Sequence, residues 1–116
     1  MVDANNTIIQ HKELASGRWQ GLSLVEQLGN IGSEIHRAVM FKEKDETRFV
    51  GACDRALELM DFTLGDHRWN VLRLRELARI REMICDAILG GKEYGSTFEY
   101  LDNYFFAFAF AARVRK

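Results

Sequence analysis

Apolar positions along the chain recur at spacings of three and four, the mark of helices with one buried face, and no run alternates as a half-buried strand would. The clearest segment opens at Ser23. Ser23-Leu-Val-Glu26 has the form of a capping box, in which a hydroxyl and a carboxylate satisfy the unbonded N–H groups of a first helical turn. Leu24, Leu28, Ile31, Ile35 and Ala38 follow at spacings of four and three, with Val25 and Val39 widening the stripe. Gly29 and Gly32 sit inside it. A glycine in a helix interior costs about 1 kcal/mol relative to alanine, and the expected compensation is close approach of a neighbouring helix or a bulky ring.

A charged connection, Lys42 to Glu46, leads into a helix predicted from about Asp45 to Leu64 and stopped by Gly65. Phe49, Cys53, Ala56, Met60 and Thr63 mark its apolar seam. Asp66 is the expected cap of the next helix, which lasts until Gly90-Gly91. Leu77, Ile80, Ile84 and Ile88 define its inner face, while Arg68, Arg75, Arg79, Glu82 and Asp86 are placed outward. The last helix is read from Gly95-Ser96-Thr97, with Ser96-Thr-Phe-Glu99 as a further capping box, and ends in a basic turn that suits the helix dipole. Ahead of all of these, Thr7-Ile-Ile-Gln has capping-box form and Ser16-Gly17 supplies a stop. A short helix is therefore expected in the N-terminal segment 1–21, followed by a loop with Arg18, Trp19 and Gly21. Four long amphipathic segments on short loops pack most simply as an all-α, antiparallel up-down four-helix bundle with a short additional N-terminal helix. One such domain accounts for residues 1–116.

Composition changes this picture little, except in one respect. The chain of 116 residues has no proline, where an average usage of about 5% would place roughly six. Long helices are thus left unbroken, and turns fall to Gly, Asp, Asn and Ser. The formal charge of −1 gives no global attraction to nucleic acid or to an anionic membrane. The one basic face, Arg68, Arg75 and Arg79, is diluted by Glu82 and Asp86, so nucleic acid is not an expected partner. Cys53 and Cys85 fall near apolar faces, as expected of reduced thiols that pack like small hydrophobes. Residues 1–7 are polar and acidic, unlike a secretory signal. The longest apolar stretch, Tyr104 to Ala112, is well short of the ~20 residues that cross a membrane. The expectation is a cytoplasmic protein with no membrane partner.

Among residues that could carry chemistry, the last helix is the most unusual. At ~100° per residue, Phe98, Phe105 and Ala109 share one side, while Phe106 and Phe110 lie well round from it. A helix apolar all round needs cover on all sides, and four helices alone do not supply it. Either the N-terminal segment folds over Phe106 and Phe110 or a second chain does, and a second copy, as a homodimer or higher homo-oligomer, is the preferred expectation. Arg73 and Arg81 project toward the inner half of the preceding helix and are candidates for buried ion pairs, with Asp54, Glu58 or Asp61 as the carboxylate. Asp54, Glu58 and Asp61 form one acidic stripe, and Glu26, Asn30 and Glu34 a comparable one on an earlier helix. Facing carboxylates on two helices are how a magnesium site is assembled. His11, His36 and His67 have no evident Ser or Cys partner in sequence.

Two resemblances attach to these residues. Asn30-Ile-Gly-Ser-Glu-Ile-His-Arg-Ala38, Arg55-Ala-Leu-Glu-Leu-Met-Asp61 and Tyr104-Phe through Ala112-Arg113 resemble a family of small prokaryotic helical proteins with no assigned activity. That likeness implies the fold alone. Leu24-Val-Glu-Gln-Leu-Gly-Asn-Ile31 followed by Glu58-Leu-Met-Asp61 looks like the signature of the all-α NTP pyrophosphatases. In that family carboxylates on two helices hold magnesium against a nucleoside triphosphate. Glu58 and Asp61 match its second half, but Gln27 and Asn30 stand where glutamates belong in the first, leaving Glu26 and Glu34 to substitute. Two functions are therefore weighed, ahead of a third, RNA binding through Arg68, Arg75 and Arg79. The first is a non-catalytic bundle, without a cofactor, acting by self-association or macromolecular binding. The alternative is a magnesium-dependent pyrophosphohydrolase, intact or decayed.

Overall fold

A computed structural model describes residues 17–114 of the chain. It consists of four helices, α1 (Leu24–Phe41), α2 (Glu46–Leu64), α3 (Val71–Ile88) and α4 (Phe98–Val114), with no strand among the described residues. The short helix expected from Thr7, and His11, Arg115 and Lys116, lie outside them. None of the described helices is long and apolar enough to cross a membrane. The helices pack together, α1 most extensively against α4 and α2, with α3 joining through α2 and more lightly through α4.

Two of the predicted starts stand as read. Ser23 Oγ accepts from the Glu26 N–H while Glu26 Oε1 accepts from the Ser23 N–H, which is the capping box of α1. Asp45 accepts from the Arg48 N–H and opens α2, and Gly65 closes it. The other two move. Asp66 does not cap α3: its buried carboxylate is turned inward to Arg68 and Gln27, so Asn70 takes the role and accepts from the Arg73 N–H at 2.8 Å. Nor is Ser96 the cap of α4. Its N–H is committed to Asp86, and Thr97 Oγ1 accepts from the Tyr100 N–H instead.

Leu28, Ile31, Ile35, Ala56, Met60, Leu77, Ile84, Phe98, Leu101 and Phe105 meet in one apolar cluster drawn from all four helices. Trp19 joins it, 1% exposed, although it precedes every described helix. Its indole N–H donates to Thr63 Oγ1 at 3.1 Å, so the ring is buried with its polar edge satisfied. A polar knot surrounds this point. Gln27, without exposed surface, donates to the Trp19 carbonyl and to Asp66 Oδ2, and Arg68 donates to both Asp66 oxygens and to the Leu22 carbonyl. The Arg68 guanidinium holds the Asp66 carboxyl down at about 2 from an ordinary 3.8 despite burial, helped by Gln27. Trp69 closes the knot, donating to the Thr63 carbonyl beneath the Arg68 guanidinium. The knot ties the entry of α1 to the end of α2.

Candidate functional site

The most distinctive surface is α4, and its position is set at its start and along its length. At its start, Asp86 on α3 accepts hydrogen bonds from three backbone N–H groups, those of Glu93 (2.9 Å), Tyr94 (3.1 Å) and Ser96 (3.0 Å). Asp86 was expected to face solvent and is 4% exposed. On the helical wheel it lies opposite Leu77, but the chain after Gly90 folds back over it. Burial pushes its carboxyl upward, and the three N–H donors outweigh this and hold it below the ordinary value. The turn requires glycine at position 91, where φ is +77° and a Cβ would sit 2.7 Å from the Ser96 carbonyl oxygen.

Along its length α4 lies against the glycine face of α1. A Cβ on Gly32 would come within 2.7 Å of Phe105 Cβ, and one on Gly29 within 3.2 Å of Ala109 Cα. The two glycines thus admit the ring and backbone of α4, the compensation expected for placing them inside a helix. His36 on α1 adds a contact at 3.2 Å to the Asp102 carboxylate. Phe98, Leu101 and Phe105 are buried on this inner side, and Tyr104 meets both Phe105 and Phe108 edge-on. Burial, with Glu76 nearby, raises the Tyr104 hydroxyl above its ordinary pKa.

On the outer side stand Phe106 and Phe110, 62% and 58% exposed, with ring centroids 6.5 Å apart and stacked at 26°. Val114, one turn on, is 67% exposed. Most isolated surface hydrophobes need no explanation, but neighbouring stacked rings form a contiguous patch.

The remaining candidate residues are dispersed. Glu26 caps its own helix, and Glu34, mostly buried, spreads its two oxygens between Arg37 at 3.0 Å and Arg55 at 3.2 Å. Asp61 accepts from Arg81 Nε at 2.7 Å. Glu58, half-buried on α2, joins no group of three potential ligands, for among the described residues no three His, Cys, Asp or Glu side chains gather where they could hold a metal ion. Arg81 forms its ion pair with Asp61, at a partly exposed position rather than a buried one. Arg73 is not buried either: it leans along α3 toward Glu76 at 3.9 Å, and Asp54 is exposed. These side chains lie at the rim of the packed helices, where long stems reach water. Of the basic face, Arg68 is engaged with Asp66 and Leu22, leaving Arg75 and Arg79 exposed.

The class these observations define is a small all-α helical protein. No family model, no curated protein and no solved structure matches the chain.

Proposed function

We propose that this chain is an antiparallel up-down helical-bundle protein that works by self-association, with Phe106 and Phe110 at the centre of the docking face. Neighbour relations among the helices support the bundle: each helix packs against its sequence neighbour, and α4 returns to α1. The connections, residues 42–45, 65–70 and 89–97, are short enough to join antiparallel neighbours. Two unpaired cysteines, one of them buried, suit a reducing cytoplasmic setting.

One observation carries the functional reading: two stacked phenylalanines stand exposed on a helix whose other face buries Phe98, Leu101 and Phe105. Burying such rings against a second copy removes apolar surface from water without disturbing the fold. Sedimentation velocity on the purified chain and on a Phe106→Ser/Phe110→Ser variant tests it. A dimer or higher oligomer is expected for the parent and a folded monomer for the variant; a parent that stays monomeric at high concentration overturns the reading.

A further inference from the structure

The outward face of α4 also carries a register. Glu99, Asn103, Phe106, Phe110 and Arg113 follow one another at spacings of four, three, four and three, and all five are exposed. At about 100° per residue they fall within an arc of about 80°, centred roughly 120° from the buried Phe105. A strip of alternating threes and fours is the seam by which one helix packs along another at a shallow angle. Its charge is polar along the axis: an acid at the start, a base at the end, two aromatic rings between.

We infer that two copies pair through α4 in the antiparallel sense, about a two-fold axis passing between Phe106 and Phe110; this rests on the self-association reading above. The charges select the orientation. Parallel pairing would set Glu99 on Glu99 and Arg113 on Arg113, and like charges across an interface oppose association. Antiparallel pairing sets the two helix dipoles head to tail and brings each Glu99 toward the partner's Arg113. With the axis between the rings, Phe106 meets the partner's Phe110 twice, so the four rings form the dry centre. Asn103 then faces the partner's Arg113, and Glu99 lies one turn, about 6 Å, further along, within reach of that long side chain.

Area is consistent with this choice. Phenylalanine buries ~200 Å², and with the rings 62% and 58% exposed, four of them supply roughly 500 Å². A specific interface needs about 1,000 Å² in total. The remainder has to come from Val114, Ala107 and Tyr100, all exposed beside the seam, and from the stems of Glu99 and Arg113.

Charge reversal in the full chain tests the orientation. At low salt, Glu99→Lys and Arg113→Glu are each expected to weaken dimerisation by about tenfold, and the double reversal to recover to within about threefold of the parent. Arg113 also borders a trough lined by Glu26. Loss of an attraction within one copy would not be restored by changing Glu99, so recovery reports on the contact between copies. In a Cys85→Ser background, Asn103→Cys and Arg113→Cys chains mixed under mild oxidation are expected to cross-link to each other and neither to itself. Single reversals without effect, a double reversal without recovery, or self-cross-linking overturns the antiparallel pairing while leaving self-association intact. A parent that never dimerises removes both.

Discussion

Phe105 and Phe106 are adjacent in sequence, yet one ring has no exposed surface and the other is 62% exposed. The Phe105 side of α4 meets a surface shaped to receive it, with Gly32 leaving room for its Cβ and Gly29 admitting the backbone of Ala109. The Phe106 side stands largely open to solvent. Residue type is the same on both sides, so type does not separate packing from docking. What separates them is whether the opposing helix has given up side chains to make room. One face therefore belongs to stability and the other, on the proposed reading, to association, and substitutions should divide accordingly.

The largest effect should come from Phe105→Ala, expected to lower unfolding free energy by about 3–5 kcal/mol, measured by urea denaturation below the association range. Phe106→Ala and Phe110→Ala should stay within about 0.5 kcal/mol in the same assay. Equal losses at 105 and 106 would erase the distinction. Gly32→Ala comes next. Alanine gains up to about 1 kcal/mol of helix propensity, but its methyl meets Phe105 Cβ at 2.7 Å, and overpacking of that kind typically costs about 1–3 kcal/mol. A net loss is expected, with Gly29→Ala milder because its contact is 3.2 Å.

Acid should act on the inner arrangement through two buried carboxylates. Asp86 and Asp66 both have folded-state pKa values depressed below the ordinary 3.8, Asp66 to about 2. A depressed carboxylate contributes stability that is present above its unfolded value and lost as pH falls through the folded one. Melting temperature should therefore drop as pH falls below about 4, and Asp86→Asn should flatten part of that fall. His36→Ala is the smallest: the contact with Asp102 is at the surface, the His36 side chain 60% exposed, and the loss should be within about 0.5 kcal/mol.

Much of this division was legible in the sequence. Gly29 and Gly32 announced a close neighbour because glycine inside an amphipathic helix has a cost that only packing offsets, and Phe105 with Ala109 is that neighbour. Phe106 and Phe110 were readable as outward because angular position depends on helix geometry alone. What periodicity could not register was any contact made from outside a helix. Trp19 sits in an aperiodic stretch and reaches the core through a hydrogen bond to Thr63, 44 residues away in the chain. Asp86 occupies the solvent side of its wheel and is buried by a returning loop. Asp66 and Ser96 had the composition of caps, and each was drawn elsewhere by a partner the local pattern does not contain. The acidic stripes, likewise, look like ligand sets in one dimension, while in space Arg55 and Arg81 draw off two of their members.

The clasp at Asp86 has a consequence for how this chain can vary. The three N–H donors are main-chain atoms, so the exposed side chains of Glu93 and Tyr94 are immaterial to it. Those two positions are open to drift, with proline barred for want of a hydrogen to give. The acceptor has no such latitude: a single side chain aims the final helix. Descendants of this sequence should keep an aspartate there long after its loop has been rewritten.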